Sequence, residues 1–316
     1  MLRLSSCDRR FLIDIIVSYI IYRQMQHANS SPLIAPRDAG KHVSNQDITV
    51  RDLRFLRGSA PRRWWLNGDP IATAWFTALS GTFPRGEAFF VESVKAHREG
   101  VPPQLDSQIR DFIIQEVNHS REHLALNRLA SAAGYDMARI DRRVEESMGL
   151  LKGRPVILDL ASTMALEHFT AMMAHEFLDH PQHFAGSDPE VANLWRWHAI
   201  EEIEHKAVAY DTWLFAPRGW SRWKRWKVKA LIMSLVTRNF IRHRVADTLD
   251  LLAQDGLTGA AVKWRLFAFL FWKPGVLRRI FPAWLAYYLP GFHPWNADDR
   301  NLIATAEREL AAARAA

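Results

Sequence analysis

Three metal-competent side chains share a stripe in WHAIEEIEHKAVAYD, residues 197–211, where His198, Glu202 and His205 stand four and then three residues apart. At about 100° of rotation per residue, a helix brings all three to one face. The stretch QEVNHSREHLALN, residues 115–127, repeats the device with Glu116 and His119 three apart and His123 one turn further on. Two isolated acids complete the set, Glu87 in FPRGEAFFVESV and Glu167 in STMALEHFTAMM. Helices carrying one carboxylate, alternating with helices carrying Glu-x-x-His, are what a dinuclear carboxylate site inside a four-helix bundle requires. Four carboxylates among Phe, Met and Trp would carry a severe desolvation cost unless paired or metal-bound. Oxygen donors with imidazole suit iron first and manganese second, and disfavour copper(I) and structural zinc.

The neighbours of these residues have lesser expected roles. His123 points between Glu116 and His119, so it is an extra ligand, a donor to a ligand, or a substrate contact. Glu122 and Glu201 are read as acids just outside the ligand set or on the surface. Glu201, Glu204 and Lys206 are expected to form i, i+4 pairs on a solvated face. His168, about 100° from the direction of Glu167, should face a neighbouring helix.

The elements that must position these groups can be read from the breakers between them. Gly68-Asp69-Pro70 is a turn that opens a helix, Pro84-Arg85-Gly86 interrupts the pattern, and Glu87 starts a helix to about Arg98. Gly100 and Pro102-Pro103 end it; residues 104–133 make one long helix closed by Gly134, and residues 136–151 a shorter charged one. An apolar helix spans 156–178. Asp188-Pro189-Glu190 then supplies a cap, a first-turn proline and an early acid for a helix expected to run unbroken over 190–215. No strand-like alternation occurs between 70 and 215, so the class is all-α. Three regions follow: an N-terminal extension (1–45), poorly ordered or amphipathic; the metal-binding helical bundle (46–215); and a basic, Trp-rich helical region (216–316).

FPRGEAFF, QEVNHSREH, ALEHFTA and WHAIEEIEHKAVAYD resemble the motifs of a bacterial family labelled "predicted metal-dependent hydrolase", over roughly residues 45–300. The His-x-x-x-Glu-x-x-His element, with an upstream Glu-x-x-His and two single Glu, is also similar to the ferritin-like di-iron N-oxygenases. That similarity implies a ferritin-like four-helix bundle with additional C-terminal helices. It also implies seven ligands, Glu87, Glu116, His119, Glu167, His198, Glu202 and His205, with His198 the ligand that plain ferritin-like sites lack. A dry bundle interior favours a di-iron oxygenase or oxidase using O2 and an external electron donor. Metal-dependent hydrolysis of an ester or amide by an activated water is the alternative, and a non-catalytic membrane-associated helical scaffold is the third.

Composition bounds the rest. The chain has 316 residues, a formal charge of +7 and one cysteine, Cys7, which excludes an internal disulfide framework and makes a reducing, cytoplasmic compartment the expectation. Residues 212–297 hold 14 Lys/Arg against 3 Asp, and eight of the thirteen tryptophans, leaving the remainder net acidic. Trp220, Trp223 and Trp226 alternate with Arg and Lys, and the apolar runs of this region are too short to span a bilayer, for which ~20 residues are needed. Tryptophan beside cationic side chains suits the headgroup layer, so the expectation is peripheral contact of 216–296 with the inner face of the membrane and an apolar or lipid substrate. Packing of these helices on the bundle is the plainer reading. Nucleic acid is not an expected partner, because the aromatics sit among aliphatic runs. A homodimer is the expected form of any self-association.

Overall fold

Asp69 starts the first helix by accepting from the Ile71 and Ala72 amides, and Pro70 fills a first-turn position that needs no amide donor. The computed structural model describes residues 47–315 apart from Ser59 and Arg218; the readings made for residues 1–45 therefore lie outside the described residues. Its helices are α1 (Pro70–Ser80), α2 (Phe83–Lys95), α3 (Pro103–Ala132), α4 (Ala138–Gly149), α5 (Val156–Asp179), α6 (Pro189–Glu204), α7 (Val208–Phe215), α8 (Arg222–Gln254), α9 (Ala260–Phe271), α10 (Val276–Ala286) and α11 (Arg300–Ala315). No strand occurs among the described residues, only an isolated bridge between Leu66 and Ser187. The chain is all-α.

Helices α2, α3, α6 and α5 close a ring, each packed on the next. These are the four that carry the candidate ligands. Leu105, Ile109 and Phe112 of α3 are almost wholly buried, each stabilising the fold by roughly 1.5–3 kcal/mol relative to exposure. α5 is buried nearly all round because α8 and α10 cover the sides that α2 and α6 leave open. Among the described residues it is the one helix long and apolar enough to cross a membrane, and 72% of its most apolar window lies inside the protein. The helices beyond residue 216 share this core, with α8 on α1 and α5, and α11 on α6.

Two expectations about the 190–215 stretch need correction. The helix is not continuous: α6 ends at Glu204, His205 leaves helical geometry as its C-cap (φ −95°, ψ 4°), and α7 resumes at Val208. The break sends adjacent side chains to different partners. The His205 ring turns into the bundle, while the Lys206 ammonium reaches Asp299 and the Ala297 carbonyl and lies over the Trp295 ring. Secondly, Glu201, Glu204 and Lys206 are buried, not solvated. A strap without regular secondary structure, residues 47–57, crosses this face, and Arg51 ion-pairs with Glu201, Glu204 and Glu307 of α11. Glu122 is likewise covered, accepting from the Phe55 amide at 2.8 Å and pairing with Arg57 and Arg121.

Candidate metal centre

Helix periodicity alone would only aim the seven side chains inward; the ring of four helices makes them meet. Each is at most 4% exposed. Their donor atoms form three groups whose members all lie within 4.8 Å of one another: Glu87, His119 and His198; Glu116, Glu167 and His205; Glu116, His119 and Glu202. Together these groups contain all seven residues singled out from the sequence. His205 Nε2 stands 3.2 Å from Glu116, 3.4 Å from Glu167 and 3.6 Å from Glu202, and His119 Nδ1 is 3.6 Å from Glu202. His168, in contrast, stacks on Tyr287 and meets the Ala283 carbonyl, away from the centre.

Every imidazole in the set has its outward nitrogen engaged by the protein, which fixes where its lone pair points. His119 donates from Nε2 to Glu201 at 3.0 Å. His205 donates from Nδ1 to the Gln115 amide oxygen at 2.9 Å, and Gln115 is oriented by donating to Glu204 and the Thr49 carbonyl. For His198 the polarity is set by a relay. Asn127 donates to the Ser80 carbonyl, so its amide oxygen accepts the Ser80 hydroxyl at 2.7 Å. Ser80 Oγ then accepts from His123 Nδ1 at 2.9 Å, and His123 Nε2 accepts from His198 Nδ1 at 2.6 Å. Each ring thus has one nitrogen engaged by the protein and turns the other, Nδ1 of His119 and Nε2 of His198 and His205, towards the acids, the orientation that metal ligation requires; His198 Nε2 lies 2.8 Å from Glu202. His123 belongs to none of the three groups; it and Glu201 orient the His198 and His119 rings.

Burial sets the electrostatics of the centre. Burial pushes Glu87 and Glu116 well above the ordinary carboxylate range, aided by neighbouring acids, and raises Glu167 to about 7 against the opposing pull of His205. Burial, then the His198 ring, lowers His119. Burial also lowers His205, but Glu202 and Glu167 overbalance it and hold the ring well above its usual range. Burial opposes ionisation of Glu202 too, and is outweighed by His205 and His198, leaving it well below. Eight inward atoms have no hydrogen-bond partner: one oxygen each of Glu87 and Glu202, both oxygens of Glu116 and of Glu167, His119 Nδ1 and His205 Nε2. Buried polar atoms in native proteins are nearly always satisfied. Orphaned oxygens and imidazole nitrogens converging in an interior fit divalent cations, which would fill those valences and replace the protons.

Sequence reasoning did not single out Gln115, Ser120, Ser80 or Arg51 as parts of this centre. Ser120 donates to Glu87 at 2.7 Å, and Arg51 anchors the Glu201 and Glu204 carboxylates behind His119 and Gln115. Gln115 and Ser120 each adjoin or follow a ligand by one position in the 115–123 motif, which was a usable signal; Arg51 and Ser80 come from distant segments and left none.

A family model described as "Predicted metal-dependent hydrolase" matches residues 49–298, a span that takes in most of the strap, all seven donors and the Trp-rich region to just before α11. No curated protein and no solved structure matches the chain. The likeness to ferritin-like N-oxygenases accordingly rests on the motifs.

Proposed function

Since the chain belongs to the family of predicted metal-dependent hydrolases, we propose that it is an enzyme whose centre is a pair of divalent metal ions held by Glu87, Glu116, His119, Glu167, His198, Glu202 and His205. The observation that carries this reading is the convergence of those donors in three buried groups, with the outward nitrogen of every imidazole engaged and the other turned towards the acids. Glu116 belongs to two groups and has both oxygens uncommitted, which suits a carboxylate shared between two ions. When bound, such ions would polarise a carbonyl and lower the pKa of a water towards ~7. We take hydrolysis of an ester or amide in an apolar substrate as the reaction, following the family's description. The protein's own part is to exclude bulk water, hold the acids together against their repulsion, and keep Glu87 fixed by Ser120.

A second reading, oxidation by O2 on iron with an external electron donor, is favoured by one specific observation. The space reaching His198 and Glu202 is small, about 20 Å³, and its other walls include Phe83, Met173, Phe177 and Trp195. A dry apolar approach suits oxidation more than the delivery of water. Metal analysis of protein grown with iron, manganese and zinc available tests the shared premise, and absence of stoichiometric metal would leave only the scaffold reading. Oxygen uptake by the reduced iron form, compared with hydrolysis of p-nitrophenyl acyl esters, then separates the two chemistries.

We also infer peripheral contact with an anionic lipid surface, now through α9 and α10. Trp264, Phe267, Trp272, Phe281, Leu285 and Leu289 are each about half exposed or more, and exposed Lys263, Arg265, Lys273, Arg278 and Arg279 stand among them. Rings beside cations match a headgroup layer of opposite charge. The Trp220–Trp226 run contributes less to this surface than expected: Trp226 donates to the Tyr288 carbonyl, Trp220 packs under Lys224, and Trp223 alone is well exposed. Flotation with phosphatidylglycerol vesicles, and its loss in Trp264→Glu/Trp272→Glu, checks the inference; no flotation of the wild type removes it.

A further inference from the structure

A cavity of about 450 Å³ lies between α2, α4, α5 and α8, beside the candidate centre. Its size falls within the ~300–1,000 Å³ of small-ligand sites. Phe83 and Thr170 line both this cavity and the small space that touches His198 and Glu202. Phe83 also packs on the His198 ring at 4.7 Å, so it forms the partition between them. The walls are apolar: Phe90, Leu166, Ile232, Val236 and Phe240 among them.

The charged residues of the lining all have one sign. Arg143, Lys152, Arg154 and Arg244 contribute, and no acid does. Arg244 is buried and committed to Asp247 and the Ala78 carbonyl. Arg143 ion-pairs with Asp247 and Asp250 of α8 yet keeps a buried Nε without a hydrogen-bond partner, Arg154 is held by Asp159 and Ser162, and Lys152 stands exposed where the loop after α4 meets solvent. Asn239, on the α8 side, leaves its amide oxygen without one as well. Gly86 adds an independent clue. It sits inside α2, where glycine costs ~0.5–1 kcal/mol relative to alanine, yet a Cβ there would meet nothing within 4 Å. Packing does not require it, and a side chain there would enter the cavity that Gly86 lines.

We propose that this cavity binds an amphiphile with one anionic end, its charged group held at the rim by Lys152 and the unpartnered Nε–H of Arg143 and its aliphatic chain directed past Phe83 and Thr170 towards the metal centre. On the hydrolytic reading, the substrate's ester or amide therefore lies along that chain, remote from the anionic group. This assignment rests on the two-metal reading only for that last step; the binding itself does not need metal.

Calorimetry with dodecanoate and with dodecyltrimethylammonium, both below their micelle concentrations, tests it. Dodecanoate should bind at least about tenfold more tightly than the cation, a difference of about 1.4 kcal/mol. Gly86→Leu should improve the helix and fill the cavity, lowering dodecanoate affinity at least about tenfold with no fall in melting temperature. Val236→Trp provides the same obstruction from the opposite wall, and Lys152→Glu should weaken dodecanoate selectively. Equal binding of the two amphiphiles, or wild-type affinity in both obstructed variants, overturns the proposal. Metal content measured on the same samples keeps the two questions apart: intact selectivity without metal would sink the catalytic reading and leave the binding site standing.

Discussion

The relay Asn127–Ser80–His123–His198 makes one residue unusually informative. His123→Phe preserves ring volume between Phe83 and Trp195, which pack against it at 4.6 and 5.1 Å. Burial, with His198 and His119 nearby, holds the His123 imidazole well below its ordinary pKa, so no charge is lost. What disappears is the acceptor for His198 Nδ1–H, whose contact is 2.6 Å. A buried donor left unsatisfied costs about 1–3 kcal/mol of stability. Ser80 keeps its Asn127 partner, so a second orphan is not created. Loss of an orienting partner typically weakens metal binding by ~10–100-fold, about 1.4–2.7 kcal/mol. The assay is metal titration by calorimetry together with elemental analysis at saturation. Two ions per chain should still bind, with affinity reduced by that factor at the ion His198 serves. If the stoichiometry fell to one, His123 would be a ligand. If neither affinity nor stoichiometry changed, the directional argument built on the relay would be wrong.

His205→Ala and Glu116→Ala should each lower metal content at saturation, because each removes a donor from the buried groups; full occupancy in both would refute the ligand set. Glu204→Ala should act on stability first, costing about 1–3 kcal/mol because Arg51 and Gln115 each lose a buried acceptor while Arg51 keeps Glu201 and Glu307 and Gln115 keeps the Thr49 carbonyl, as read by chemical denaturation; a change within 0.5 kcal/mol, roughly that of a surface site, would contradict its burial. For metal-free protein, stability should fall as pH rises above the ordinary histidine value of 6.5. There unfolded histidines have already lost their protons, while burial keeps Glu167 and Glu201 titrating at about 7 in the folded state, so the folded chain binds more protons than the unfolded one. Saturating metal should abolish or reverse that slope, since cations replace the protons; identical slopes with and without metal, followed by melting temperature, would argue against binding at these acids.

Much of the site was legible from local spacing. Offsets of three and four residues fix which side chains share a helical face, and the Pro102-Pro103 and Asp188-Pro189 pairs fix where those helices begin, so the inward direction of Glu116, His119, His198 and Glu202 follows from the chain alone. His205 was matched to that face by periodicity, although it reaches the centre from a helix end. Local rules are silent on what covers the opposite face. Glu201, Glu204 and Lys206 look like solvated helix residues until Arg51 of the strap and Asp299 before α11 are folded over them. Likewise the lone-pair direction of each ring depends on Gln115, Glu201 and His123 arriving from α3 or α6 at hydrogen-bond distance. The sequence determined the kind of donors and the faces they share, because backbone geometry is periodic and short-ranged. The tertiary structure alone decided which acids are desolvated, which tautomers persist and where a ligand-sized cavity opens, because burial and hydrogen-bond partnership are set by segments far apart in the chain.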